Sequence, residues 1–206
     1  MSKAYEVTET TRVKRLADRG AYDHETVHAI LDEATLCHVS LVVDGRPRVL
    51  PTLVWREGNG LYIHGARKNG LFQAMRAGAE AAVAVTLMDG WVLARSAFHH
   101  SVNYRSVMAV GKFEEVTERA QQLKAYKAMM DKIHPGRWDQ VRGPTEIELK
   151  QTAVMRMELV EVSAKIRTGG PVDDAEDYVL PVWAGVVPLT VESGEAIKDE
   201  ATAPPV

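Results

Sequence analysis

The sequence predicts a mainly β protein, an antiparallel barrel with a few packed helices. Three observations lead there. Strand-like runs outnumber helical patterns, and most are joined by short turns such as Asp44-Gly45 and Glu57-Gly-Asn-Gly60. Three β-rich runs, Arg48 to Trp55, Leu61 to Ala66 and Asn103 to Gly111, end in small or polar residues, as a small barrel holding a flat ligand needs.

The bulk numbers narrow the class. With 206 residues, 46% of them hydrophobic and 26% charged, the chain suits one globular domain with appendages. A net charge of -3 gives no basic patch that would make nucleic acid the main partner. Cys37 is the single cysteine, so no internal disulfide forms and a reducing compartment is expected. Its apolar neighbours suggest a buried thiol rather than a nucleophile. No apolar run approaches the ~20 residues of a membrane span, and the first residues lack a signal-peptide core. The expectation is a cytoplasmic protein with no membrane partner.

The elements follow in order. Residues 1–20 read as an N-terminal arm. Asp23 caps a helix running to Ala34, with Val27, Ile30 and Leu31 on its apolar face. Leu36 to Val43 and Pro47 to Arg56 form a hairpin around Asp44-Gly45, which supplies the positive φ of a tight turn. A strand from Leu61 to His64 and a helix from Asn69 to Ala77 come next. Ala81 to Met88 and Trp91 to Phe98 make a second hairpin around Asp89-Gly90, and Tyr104 to Val116 is a long strand. Thr117 caps an amphipathic helix carrying Ala120, Leu123, Tyr126, Met130 and Ile133. Residues 134–145 form a loop, and Thr152 to Val162 is the last strand. Beyond Gly169-Gly170-Pro171 an acidic patch, 173–177, precedes an apolar segment from Val179 to Leu189, and Thr190 to Val206 reads as disordered. There are no internal repeats.

Several motifs carry candidate chemistry. His24-Glu25-Thr26-Val27-His28 matches the H-E-x-x-H zinc pattern. It lies at a helix start, where capping and dipole effects explain polar residues, and Leu31 and Ala34 stand where further metal-site residues would fall. A zinc hydrolase is thus the remote alternative, and no metal is expected. His99 and His100 are adjacent in a strand and point to opposite faces, so they read as surface features. Arg137, Arg142, Glu146 and Glu148 read as a solvated turn near the last strand. His64-Gly-Ala-Arg-Lys-Asn-Gly70 differs from these. It joins a strand to a helix and combines two cations, an amide and free backbone N–H groups, a plausible cradle for a phosphate.

These segments resemble the pyridoxamine 5′-phosphate oxidase-related, FMN-binding split-barrel family, and within it the branch of nitroimidazole-resistance (Nim-type) proteins. The resemblance runs from about Arg12 to Val162. It rests on Asp44-Gly-Arg-Pro…Pro51-Thr-Leu, Leu61-Tyr-Ile-His-Gly-Ala66, Met88-Asp-Gly and Phe98-His-His-Ser-Val-Asn-Tyr-Arg-Ser-Val107 closed by Gly111. It implies a six-stranded antiparallel split barrel with flanking helices over residues 21–165. It also implies a homodimer with two FMN sites at the subunit interface. The C-terminal extension, 166–206, is expected to wrap the partner, because an exposed Trp183 on a lone tail is costly. By resemblance, Pro51, Thr52, Leu53 and Val54 run along the isoalloxazine and His64, Gly65 and Ala66 lie beside it. Arg67, Lys68 and Asn69 approach the phosphate, and Arg105, Ser106 and Val107 reach in from the partner. Relatives place Ser-Arg where this chain has Asn69-Gly70, so Arg67 and Lys68 would supply the phosphate charge.

The resemblance implies an FMN-dependent oxidoreductase acting on a small molecule, with nitro-group reduction the reaction of the Nim-type branch and His64 the catalytic residue. The substrate-binding C-terminal segment of the oxidase itself is absent, so pyridoxamine phosphate oxidation is not expected. The rival readings are a non-catalytic binder or sensor on the same barrel, and deazaflavin or haem in place of FMN.

Overall fold

The computed structural model describes residues 3–199; the expected disorder of the last residues falls partly outside that range. Ten strands and four α-helices are formed among the described residues. They are β1 (Gly20–Ala21), α1 (His24–Glu33), β2 (Leu36–Val43), β3 (Arg46–Leu53), β4 (Trp55–Glu57), β5 (Gly60–Ala66), α2 (Gly70–Arg76), β6 (Glu80–Leu93), β7 (Ser101–Glu115), α3 (Arg119–Ile133), α4 (Glu146–Gln151), β8 (Thr152–Glu158), β9 (Glu161–Arg167) and β10 (Gly185–Pro188). All pairings are antiparallel, in the order β3-β2-β6-β7-β8-β5-β4, with β9 also on β7 and β10 on β6. This is the expected split barrel. Ten strands stand where six were expected because β1, β4 and β10 are short additions and the last strand divides in two at Leu159-Val160.

Local chemistry sets the well-read elements. Asp23 caps α1 by accepting the Thr26 amide at 2.8 Å. Val27, Ile30 and Leu31 are buried on one face of that helix, as their spacing requires. Asp44 and Gly45 both take positive φ, 51° and 71°, giving the two-residue hairpin turn between β2 and β3. Alternate residues of β2, β6 and β7 enter a core that includes Cys37, Val39, Val83, Val85, Val107 and Ala109.

Asp89-Gly90 is not a turn. β6 runs through it as one fourteen-residue strand with a register shift against β7 between Met88 and Gly90. Glycine is required there because β10 lies close by: a Cβ on Gly90 would meet the Val187 carbonyl oxygen at 2.9 Å. The helix after β7 is capped by Glu118 rather than Thr117, through the Ala120 and Gln121 amides. Its buried residues are Gln122 and Ala125; Ala120 and Ile133 are exposed. The loop 134–145 leads into a helix that sequence reading missed, α4, held by a capping box between Thr145 and Glu148. The arm is not free either: Tyr5 and Thr11 are buried, and β1 pairs with β9.

α2 packs across β5 through Phe72, whose ring occupies the space a side chain at position 65 would need. A Cβ on Gly65 would fall 2.6 Å from that ring. Gly65→Ala is therefore expected to lower unfolding stability by about 1–3 kcal/mol through overpacking. Chemical denaturation measures this, and an unchanged midpoint would contradict the packing.

Candidate functional site

β4, β5 and α3 bring four rings together. Trp55 stacks on Tyr62 with centroids 5.8 Å apart, His64 lies 5.8 Å from Trp55, and Tyr126 of α3 meets His64 edge-on at 6.4 Å. Strand alternation explains why Tyr62 and His64 share the face under α3 while Leu61 and Ile63 enter the main core. Val116, Ala125, Val154 and Met129 complete an apolar shell around the cluster.

Two polar atoms in this shell have no partner. Trp55 Nε1 and His64 Nδ1 are both buried without a hydrogen bond, a deficit that costs roughly 1–3 kcal/mol for each group. Burial pushes the His64 imidazole below its ordinary value, so its neutral form is favoured, and burial likewise raises the Tyr126 phenol. Tyr126 and Met129 also line a cavity of about 340 Å³ walled by Met130, Trp138, Val141 and Pro144, with Arg142 and Glu148 paired at 2.7 Å. A larger cavity of about 600 Å³ opens beside Tyr62, lined by Glu57, Glu114, Glu115 and Glu118 together with Lys124 and Arg156.

The turn after β5 is built differently from the expected cradle. The Arg67 amide donates to the Gln151 carbonyl at 2.9 Å, and the Arg67 guanidinium pairs with Glu115. Arg76 pairs with the same carboxylate at 2.7 Å. Lys68 is exposed and forms no ion pair among the described residues. Asn69 caps α2, its side-chain oxygen accepting the Leu71 amide at 2.9 Å.

The remaining candidates divide between core and surface. Pro51 is exposed, and Thr52 and Leu53 are half-buried on β3, whose outer edge has no strand partner among the described residues. Val54 is fully buried, its amide bound to the Thr35 carbonyl. Ala66 is exposed at the end of β5. Arg105 is held within its own chain: its guanidinium donates to Asp89 at 2.7 Å and to Glu33 at 2.8 Å. Hydrogen bonding to Arg105 holds the Glu33 carboxyl below the usual carboxylate range. Ser106 Oγ donates to the Lys165 carbonyl at 3.1 Å, and Val107 is buried. Pro51 to Leu53 on β3 and His64 to Ala66 on β5 thus stand in the two halves of the barrel, with Val54 in the link from β3 to β4. Trp55, Tyr126 and Glu115 are the residues sequence reading missed. They come from three distant elements, and only the aromatic character of Trp55 next to the Pro51-to-Val54 run was visible.

The H-E-x-x-H residues are engaged elsewhere. His24 stacks on Tyr5 with centroids 4.1 Å apart, and His28 Nε2 lies 2.9 Å from the Tyr5 hydroxyl, which donates on to Asn59 at 2.8 Å. Among the described residues the one three-ligand grouping is His99, Asp174 and Asp177, away from that motif. It lies where the extension docks on the β6–β7 connection. Beside it the buried Asp173 carboxylate accepts the Arg95 amide at 2.9 Å.

A family model described as pyridoxamine 5′-phosphate oxidase matches residues 23–166, and the chain belongs to that family. The flavocytochrome Anf3 from Azotobacter vinelandii is similar over 97% of this chain and 92% of its own, with 39% identity and a TM-score of 0.89. An FAD and haem binding protein from Mycobacterium smegmatis is similar over 90% of this chain and 91% of its own, with 35% identity and a TM-score of 0.85. A candidate 5-nitroimidazole antibiotic resistance protein from Bacteroides thetaiotaomicron shares the fold at 18% identity and a TM-score of 0.60, over 71% of this chain and 86% of its own. No curated protein matches significantly. No helix among the described residues is long and apolar enough to cross a membrane.

His28 gives this region a pH dependence. Its imidazole is lowered chiefly by burial, then by Arg56 and His24. The unfolded chain therefore takes up a proton near pH 6.5 that the folded chain refuses, and stability falls as pH drops below that value. Thermal unfolding between pH 7.5 and 5.5 should show a shallower loss for His28→Asn than for the parent protein. Equal slopes would contradict the assignment.

Proposed function

We propose that this protein is a homodimeric redox protein that binds a flavin and a haem. The observation that carries the reading is its similarity along nearly the whole chain to a flavocytochrome and to an FAD and haem binding protein. The chain's own residues suit both groups. The exposed face and edge of β3 and the turn after β5 offer a seam for a flat ring system. The cluster under α3 offers a neutral imidazole and an indole donor in apolar surroundings. A flavin supplies hydride and single-electron chemistry and a haem supplies one-electron chemistry; the protein binds, orients and excludes water.

The flavin is read as the dinucleotide rather than the FMN expected from sequence. Arg67 and Arg76 share the one carboxylate of Glu115, so net positive charge remains there beside the unpaired Lys68. The dinucleotide is supported by the similarity at 35% identity to an FAD and haem binding protein. Reduction of a nitro group stays a resemblance-based expectation, because likeness at 18% identity carries the fold alone.

The dimer is supported by surface that a soluble monomer would leave wet. His38, Ala84 and Met108 lie in register on the outer face of β2, β6 and β7, all exposed. Val42 and Val49 beside them are 62% and 60% exposed, and Trp183 of the extension is 66% exposed. A second copy covers that face, with the extension laid across the junction.

The purified protein is expected to show flavin bands and a Soret band, to release FAD on denaturation, and to elute at twice the chain mass. A monomer, or a colourless protein that takes up neither added flavin nor hemin, would contradict the reading.

A further inference from the structure

We infer that the N-terminal arm builds an anion site, which holds the diphosphate of a nucleotide against the outer face of β7 and β9. This goes beyond the cofactor reading above and does not rest on it. A cavity of about 280 Å³ lies there, with Arg12, Lys14 and Arg15 supplied by the arm and Ser106, Ser163 and Lys165 by the sheet. Ser106 pairs in register with Lys165, and Met108 with Ser163. Strand alternation therefore puts these four on one face, opposite the core residues Val107, Ala109, Val162 and Ala164. Met108 lines the cavity as well, so the site borders the face that a second copy covers in the proposed dimer. Within one chain, β2 and β6 separate it from β3.

The charge there is local. The whole chain carries a net charge of -3, yet residues 12–19 hold Arg12, Lys14, Arg15 and Arg19 against Asp18 alone. Glu9 lies 3.8 Å from Arg12 and 3.4 Å from Lys14, but its side chain is 82% exposed. A solvated carboxylate shared by two cations holds neither firmly. Arg15 and Lys165 have no carboxylate partner among the described residues; the Lys165 ammonium donates to the Arg15 carbonyl at 3.1 Å. Arg167, two residues along β9 on the same face, is 8% exposed and donates to the neutral oxygens of Asn103, Gly169 and Gly170. A buried guanidinium without a carboxylate favours an anion close by. The arm's backbone is fixed. The Val13 amide donates to the Tyr22 hydroxyl at 2.8 Å, and the Thr8 hydroxyl donates to Glu161 at 2.8 Å. Leu16 is left-handed at φ 54°, a strain that lasts only where the surroundings hold the chain. These anchors engage backbone and hydroxyl groups and leave the cationic side chains for a ligand. Guanidinium forks and hydroxyls are donors that phosphate oxygens take, and four cations can meet two phosphates. Val13 and Met108 add apolar wall for the nucleoside part. Such a diphosphate comes from a free nucleotide, or from a flavin dinucleotide reaching across the junction of two copies.

The test uses the full-length protein and its triple variant Arg12→Gln/Lys14→Gln/Arg15→Gln, which keeps every anchor named above. Calorimetric titration of the protein as purified with ADP reads a free nucleotide. Titration of the flavin-free protein with FAD and with FMN reads a flavin source. In the first case the variant is expected to bind ADP at least about tenfold more weakly, with its flavin content unchanged. In the second its preference for FAD over FMN falls by the same factor. Raising the salt concentration should weaken binding to the parent and act far less on the variant. Far-UV circular dichroism should match between the two. If the triple variant folds poorly, Arg15→Gln alone is expected to give a loss of about threefold in the same readout. ADP affinity equal in parent and variant, or absent from both, together with an unchanged FAD-to-FMN preference, would overturn the inference. A parent that binds neither flavin contradicts the proposed function instead, and the ADP titration still decides this site.

Discussion

The structure depends on one strand. β7 runs fifteen residues from Ser101 to Glu115 and belongs to both halves of the barrel. Along most of its length it pairs with β6 on one side and β9 on the other. Its last three residues, Phe113 to Glu115, turn instead to β8. Without that switch of partners the β2-β3-β6 half and the β4-β5-β8 half would be separate sheets, each with an open edge. Gly111, just before the switch, sits over Met157 at ordinary contact distance. The constraint reaches the site directly. Glu115, at the end of β7, fixes Arg67 and Arg76. Val116, one residue further, donates its amide to Val154 and roofs the pocket containing Trp55.

From that frame the two candidate binding regions differ in kind. The β3 face and the turn after β5 are open, and in the proposed dimer a second subunit completes a wall there. The cluster under α3 is built by one chain from rings of β4, β5 and α3. Buried polar atoms without partners are uncommon in folded proteins. Two within one aromatic cluster mark a place where the chain alone is incomplete. Arg105 shows the opposite condition: bound by Glu33 and Asp89, it secures α1 against the β6 irregularity and has its donors occupied within the chain.

How much of this was legible in the sequence follows from which interactions are local. The Asp23 cap, the Asp44-Gly45 turn and the apolar face of α1 are set by neighbours within a few residues, and they were read correctly. Asp89-Gly90 carries the same turn chemistry, yet β7 and β10 hold both sides of it in a ladder, so tertiary pairing overrode the local signal. The apolar run from Thr152 to Val162 gave no sign that it changes partners midway, because periodicity does not report which strand lies alongside. Thr145 and Glu148 do signal α4 as a capping box, but six residues between a loop and the start of β8 are too few to show a helical period. The pocket was the least legible part. His64 was singled out, while Trp55 and Tyr126 meet it only after β5 and α3 are folded together. Arg67 looked free because its partner, Glu115, lies at the end of another strand.

The central proposal is that two copies of this chain hold a flavin along β3 and the turn after β5. Diffraction from crystals of the protein grown with FAD tests it most directly. The account predicts flavin density against those two elements, closed off by a second copy. Flavin density lying instead under α3, or a monomer in the crystal and in solution, would contradict it.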